Sequence, residues 1–313
     1  MKVGVIGLGY WGSKVAKEYK VLLGQGVIDK LILYDSEQQK RNLDSWTDCT
    51  MAEGLESLLS QVDAVHICSP SDTHFQISIK AIEHHVNALI EKPITKSHIQ
   101  AQKIAEKSIE MGLIFQVGHI FRFSETMKYL KHITSDKKYF PEIDLIELRW
   151  AHTRVPNSST FIEPILWDLL PHPLDVIHYL TEEWPVEVYG QYLGPNKANE
   201  DSALIFYKLP SGIVASIFLS GMFPQKSRII DLSNHVTTIK ADLVQSTIDL
   251  WSKKESIVKK IPEGNTIRAE ILNFIEAINT SKNVKNPIKL GTKSVEIIQK
   301  TEVALQHDKR TKI

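Results

Sequence analysis

Two groups of residues in this chain have the types and the spacing to do chemistry. The first is the run GLGYWG, where Gly7, Gly9 and Gly12 follow the short apolar run KVGVI. An amphipathic stretch through Val15, Ala16, Tyr19 and Leu22 comes next. In that context the first glycine permits a tight turn and the second lets backbone approach a pyrophosphate. The third allows close helix–strand packing, and the helix N-terminus offers N–H groups and a positive dipole end. A lone glycine pattern of this kind is weak evidence. Here Asp35 ends the next strand-like run, LILYD, about twenty residues beyond the third glycine. A carboxylate there can accept both ribose hydroxyls and repel a 2′-phosphate, so NAD is expected over NADP. Lys40 and Arg41 could compensate such a phosphate, but they lie a helical turn or more beyond Asp35 and read as solvated helix charges.

The second group is Asp168, His172 and Asp175, spaced i, i+4 and i+7. On a helix these share one face. An acid–imidazole–acid stripe is unusual for a core face and suits proton transfer. Oxidising an alcohol needs a base for the hydroxyl proton as hydride leaves the same carbon, and imidazole titrates in the right range. Asp168 would orient the ring or share its proton. The competing reading is a polar cluster at a helix start with a buried, satisfied histidine, and spacing alone leaves both open.

The elements that must position these groups fall into two blocks. From Met1 to about Val117, strand-like and helix-like runs alternate, including DAVHICSP, a helix from Thr73 to His85, VNALIEKP, a helix from Ser97 to Met111, and LIFQVGH. That alternation implies an α/β fold with a doubly wound parallel Rossmann sheet, covered by helices on both faces. After His119 the pattern changes. One helix is expected from about Pro164 to Leu180. Period-2 segments then follow: 186–192, 203–208, 213–220, 228–232, 236–240, 247–251 and 257–261. Turn signals such as Pro210-Ser211-Gly212 separate them. These imply a C-terminal α+β domain with a large, mostly antiparallel open sheet. The expected domains are 1–120 for dinucleotide binding and 121–313 for substrate binding and oligomerisation, with the last helices able to pack back on the first.

Composition narrows the class of protein. The 313 residues are 42% hydrophobic and 24% charged, ordinary for a globular enzyme, and formal net charge is zero. No electrostatic footprint points to nucleic acid or an anionic membrane. Cys49 and Cys68 form no disulfide framework and match no metal spacing, so no metal is expected. The N-terminus does not read as a signal peptide, and the longest later apolar stretch, 213–223, is too short to span a bilayer. A cytoplasmic location is expected.

Several segments together resemble the glucose–fructose oxidoreductase/inositol dehydrogenase (Gfo/Idh/MocA) family along nearly the whole chain. They are GLGYWG, SPSDTH at 69–74, EKP at 91–93, VGHIFRF at 117–123 and DLLPHPLD at 168–175. The resemblance implies an NAD(P)-dependent dehydrogenase acting on CH–OH groups. It places Ser69, Pro70 and His74 by the nicotinamide ribose and pyrophosphate, and Glu91 and Lys92 by the nicotinamide, with a cis peptide before Pro93. Tyr10 and Trp11, inside the glycine turn, join the cofactor set. Lys92, Asp168 and His172 become the catalytic set, Lys92 touching both cofactor ribose and substrate hydroxyl. This chain departs from the family in having Trp167 before the aspartate, Leu170 in place of a glycine, and Pro171 and Pro173 around His172. Pro171 and Pro173 could kink the helix or delay its start, while Trp167 and Leu170 could wall the site.

Further substrate candidates are His119, Arg122, Arg154, Trp167 and Asp175. For Arg122 an anion-binding role and an interdomain ion pair weigh about equally. By resemblance, VGHIFRF and WDLLPH look most like members acting on nucleotide-linked amino sugars or their uronates. The expected partner is therefore a sugar-like small molecule, in a homodimer or homotetramer. The alternatives are a free polyol or inositol dehydrogenase, or a dinucleotide-sensing protein without turnover.

Overall fold

In the computed structural model the chain divides into two compact units, 1–120 with 265–295 and 121–264 with 296–313. The residues described are 1–41, 46–136, 140–153, 163–194, 201–253, 256–280, 284–307 and 309–313. Among them no helix is long and apolar enough to cross a membrane.

The first unit alternates β1 (Lys2–Ile6), α1 (Tyr10–Gly24), β2 (Lys30–Tyr34), α2 (Gln38–Arg41), β3 (Thr50–Met51), α3 (Leu55–Leu59) and β4 (Ala64–Ile67). It continues through α4 (Ser71–Glu83), β5 (Asn87–Ile90), α5 (His98–Glu110) and β6 (Phe115–Val117). The six strands are parallel, in the order β3-β2-β1-β4-β5-β6. Helices cover both faces, which is why β4 and all of β1 after Lys2 are continuously buried rather than alternating. Strand order reverses between β1 and β4, so the loops after these two strands flank the crevice where such sheets bind ligands. Residues 265–295, assigned to the second domain from sequence, cluster here. Within them α9 (Thr266–Thr280) lays Ile271 and Ile275 into the core built by Val15, Ala16, Tyr19 and Leu22 of α1. Arg268 also pairs with Glu18 at 2.9 Å.

The second unit holds α6 (Glu125–Ser135), β7 (Leu145–Thr153), α7 (Ile165–Leu169), α8 (Pro171–Thr181), β8 (Glu187–Tyr192), β9 (Ser202–Lys208) and β10 (Val214–Ser220). Then come β11 (Met222–Ser233), β12 (Thr237–Asp242), β13 (Thr247–Ser252), β14 (Ser256–Lys260) and β15 (Thr311–Lys312). α10 (Ile288–His307) crosses the division between the units. The nine strands run β14-β13-β12-β11-β7-β10-β9-β8-β15, and β7–β10 is the one parallel pair among the described strands of this sheet. Side chains alternate as the sequence implies: Ile146, Leu148, Trp150, Ile205, Tyr207, Ile217 and Ile230 lie on the buried face. Four details differ from the sequence reading. α6 and β15 were not expected, β11 begins six residues early, and the single helix 164–180 is two helices.

Candidate active site

The glycine turn packs tightly at Gly7 and Gly12 and is open at Gly9. Gly7 has φ +92°, and a Cβ there would sit 2.6 Å from the Ser69 backbone nitrogen. A Cβ on Gly12 would lie 1.8 Å from the Gly7 carbonyl oxygen, so only glycine lets α1 start so close to β1. At Gly9 a Cβ would meet no protein atom within 4 Å. The space in front of the second glycine is open, where a pyrophosphate is expected. α1 has no side-chain cap at Gly9 and no acidic residue in its first turn, leaving its N–H groups and positive end for an anion. Tyr10 stands exposed at that end, its hydroxyl accepting from Lys14 Nζ at 2.7 Å.

Asp35 is buried at the end of β2. Its Oδ2 accepts from the Leu8 N–H at 2.6 Å and its Oδ1 from the Glu37 N–H at 2.9 Å. The carboxylate thus ties the glycine turn to β2 and keeps lone pairs for hydroxyl donors. Lys40 Nζ pairs with Glu37 at 2.5 Å, so its charge is already engaged by an acid. These residues fit the adenosine end of NAD.

The loops after β4 and β5 are stapled together by His74. Its Nδ1 lies 2.9 Å from the Pro93 carbonyl and its Nε2 2.8 Å from the Ser69 carbonyl. His74 is buried and holds the loop shape rather than presenting its ring. Ser69 Oγ is 2.7 Å from Thr73 Oγ1, and Pro70 is the residue before α4. The Lys92–Pro93 peptide is cis, as the resemblance implies. Lys92 is half-buried and Glu91 is buried.

Glu91 is turned inward, not toward open space. Its Oε1 accepts from the Trp11 indole N–H at 2.5 Å and lies 3.3 Å from His66 Nε2. Burial works to raise this carboxyl, but His66, the Trp11 N–H and Lys92 outweigh it and hold it below the usual range. Gly118 makes room: a Cβ there would lie 2.8 Å from Glu91 Oε2. Trp11 is therefore locked by Glu91 to the loop after β5. His66, Cys68 and Glu91 place donor atoms within 4.8 Å of one another, a grouping the sequence reading missed. Burial, with Glu91 and Glu270 nearby, pushes the Cys68 thiol well up, which keeps it protonated. His119 is buried too, and its carbonyl accepts from Asn286 Nδ2 at 3.1 Å.

In the second unit Asp168 lies on α7 and His172 in the first turn of α8. The break falls at Leu170, which keeps helical angles, and Pro171 starts α8 at the position that needs no N–H. Asp168 and His172 are both half-buried. Asp175, one turn on, is engaged elsewhere. Its carboxylate takes Arg122 Nε at 2.8 and 3.0 Å, and the guanidinium also donates to His178 Nδ1 at 2.9 Å. His178 stacks on Trp184 at 4.4 Å. Arg122 and Asp175 thus form an ion pair inside the second unit, not the interdomain pair weighed from sequence. Trp167 and Leu170 do not wall an open site. Both are buried, Trp167 donating to Glu302 at 3.3 Å, because α7 turns its apolar side inward. Arg154 lies outside the described residues.

His172 sits among rings the sequence reading did not select. Phe121 meets it edge-on at 5.1 Å and Trp150 lies nearly parallel to it at 6.4 Å. Phe121 and Trp150 also touch edge-on at 5.1 Å. Arg228 covers the Trp150 ring at 5.5 Å. A signal for Arg228 existed: in SRIIDL it shares its strand face with Ile230 and Leu232, an arginine in register with core residues.

Comparison with known proteins agrees with this architecture. Residues 1–119 match an oxidoreductase family with an NAD-binding Rossmann fold, and residues 137–240 match the GFO/IDH/MocA C-terminal domain. The chain is 26% identical over 295 residues to UDP-N-acetylglucosamine 3-dehydrogenase of Acidithiobacillus ferrooxidans, covering 91% of this chain and 90% of that one. A crystal structure of that enzyme superimposes with TM-score 0.87, 23% identity and 98% coverage of both chains. The fold is shared also with scyllo-inositol dehydrogenase of Lactobacillus casei, solved with NAD(H) and scyllo-inositol, at TM-score 0.82, 16% identity and coverage of 100% and 98%. The chain belongs to the Gfo/Idh/MocA family of oxidoreductases, and its first unit is that family's NAD-binding Rossmann domain.

Proposed function

We propose that this protein is an NAD-dependent dehydrogenase oxidising a secondary ring alcohol of a nucleotide-linked amino sugar. One observation carries the choice of substrate class. The likeness to UDP-N-acetylglucosamine 3-dehydrogenase runs over nine-tenths of both chains. The likeness to scyllo-inositol 2-dehydrogenase of Bacillus subtilis covers 56% of this chain and 50% of that one.

Gly7, Gly9, Gly12 and the uncapped start of α1 would hold the pyrophosphate, and Asp35 the ribose hydroxyls. Asp35 supports NAD over NADP, since a 2′-phosphate would face its carboxylate, which the Leu8 and Glu37 N–H groups hold in place. When bound, NAD supplies the hydride acceptor. His172 takes the hydroxyl proton as general base, and Asp168 orients or shares the charge of its imidazole. Lys92 hydrogen-bonds the reacting oxygen and stabilises the negative charge that grows there. Trp11, Glu91 and His74 hold the loops that carry Lys92.

The outward face of the nine-stranded sheet exposes Tyr189, Phe206 and Trp251 beside charged residues, which supports self-association as a dimer or tetramer. Two free cysteines fit a reducing, cytoplasmic setting. The test is a turnover screen of nucleotide sugars, free sugars and inositols with NAD and NADP side by side. We expect NADH from a nucleotide-linked N-acetylamino sugar. Turnover of inositols alone overturns the substrate class, and a preference for NADP overturns the role given to Asp35. NAD binding without turnover of any of them would mark a sensor.

A further inference from the structure

Arg228 is the one strongly charged side chain on the buried face of β11, in register with Ile230 and Leu232. Burying a guanidinium costs several kcal/mol unless its donors and charge are met. Its NH1 donates to the carbonyls of Ala151 at 2.9 Å and Ser227 at 2.7 Å. Its NH2 reaches His152 Nδ1 at 3.2 Å, and its plane lies over the Trp150 ring at 5.5 Å. None of these partners is anionic. The carboxylate that acts on it is Asp168, one of the two residues proposed to handle the proton. Burial lowers the guanidinium to about 10, and Asp168 works in the other direction. Trp150 connects the same cation to the other member of the pair, because His172 lies along its ring at 6.4 Å. The Trp150 indole is fully buried, and its N–H has no hydrogen-bond partner among the described residues. The polar groups that the ring meets are therefore the guanidinium over it and the imidazole beside it.

We infer that Arg228 is a positioning residue for the proposed Asp168–His172 pair, holding the Trp150 platform and serving as the counter-charge to Asp168. The inference rests on the proposed roles of those two residues. Its consequence has a definite sign. With Arg228 present, the charge of Asp168 is shared with a cation, so less of it acts on His172. Without Arg228 the full negative charge acts on the imidazole and a nearby positive charge is gone. Both changes favour the imidazolium and raise the pH at which His172 becomes a base. Among the described residues, the charged and titratable groups tied to this centre are Asp168 on α7, His152 on β7 and Arg228 on β11, while Phe121 and Trp150 supply uncharged faces.

The experiment compares wild type with Arg228→Gln, Arg228→Met and Arg228→Lys. The first readout is the His172 titration by NMR in cofactor-free protein labelled at histidine and assigned with His172→Gln. For the Met and Gln variants we expect an upward shift of about half a pH unit to one unit. Arg228→Lys, which restores charge without the planar fork, should move it by less than about 0.3 unit. The second readout is kinetic. The Met and Gln variants should lose about tenfold to a hundredfold in kcat at pH 7, with the acid limb of the profile displaced upward. KM for the sugar should stay within about threefold. Near-UV circular dichroism identifies any variant that fails to fold, and the Gln and Lys variants keep the comparison open if Met does so. A folded Gln variant with an unmoved His172 titration and unchanged kcat overturns the role given to Arg228. If wild type turns over no ring alcohol, the kinetic arm fails and with it the functional reading. The titration arm then still judges whether Arg228 controls His172.

Discussion

At the scale of single residues, Lys92 separates binding from chemistry. It is half-buried beside Glu91 at the end of β5, on the loop that His74 and Trp11 hold. Replacing it with methionine preserves the volume and deletes the charge. Lys92→Met should therefore lower kcat about a thousandfold while leaving the NAD Kd within about threefold, measured by stopped-flow turnover and by fluorescence titration. Turnover near wild type would remove Lys92 from the mechanism. Glu91 makes a different, pH-dependent contribution. Its carboxyl is held below the ordinary value of 4.5, because His66, Trp11 and Lys92 overcome the effect of burial. A lowered folded value means that the stabilisation is full above about pH 4.5 and is lost as pH falls through the folded value. Thermal melts of wild type and Glu91→Gln from pH 3 to 7 should differ most above that point and converge below it. A gap that widens on acidification would contradict the assignment.

At the scale of elements, the three glycines of the first turn do different work, and two substitutions separate them. Gly12→Ala drives a Cβ to 1.8 Å from the Gly7 oxygen and should cost roughly 3 kcal/mol or more of stability. Gly9→Ala meets no protein atom within 4 Å, so its melting temperature should barely move while NAD affinity falls at least about tenfold. Equal effects of the two on stability would remove the argument that the space before Gly9 belongs to a ligand. These elements were also the most legible in sequence. Parallel strands buried on both faces and amphipathic helices announce themselves locally, and so does the glycine turn. α6 had a signal that went unused: Ser124 caps it, accepting from the Met127 N–H at 3.4 Å, and Met127, Leu130 and Thr134 line its buried side. The break between α7 and α8 was visible in Pro171 and Pro173. The inward turn of Trp167 was not, since a five-residue helix has too few positions to define a face. Period 2 locates a strand but says nothing of its partner, so the parallel β7–β10 pair inside an antiparallel sheet stayed hidden. Phe121 and Trp150 meet at His172, and Arg228 lies over Trp150, so four separate stretches of chain converge in a way that no local spacing encodes.

At the scale of the whole molecule, two claims remain to be met by measurement. The first concerns assembly. Tyr189, Phe206 and Trp251 leave large apolar surface on the open side of the nine-stranded sheet, among Glu147, Arg149, Asp231 and Lys240. Light scattering after size exclusion should return a dimer or tetramer, and Phe206→Glu should shift it toward monomer; a wild-type monomer at micromolar concentration would leave that face without its proposed partner. The second and central claim is that hydride leaves a ring carbon of a nucleotide-linked amino sugar for NAD. It is tested most directly with UDP-N-acetylglucosamine carrying deuterium on the carbons of its amino-sugar ring, incubated with the enzyme and NAD, the reduced cofactor being read by NMR. The account predicts NADH with deuterium at nicotinamide C4. Unlabelled NADH, or no NADH from this substrate while an unlinked polyol is oxidised, would contradict it.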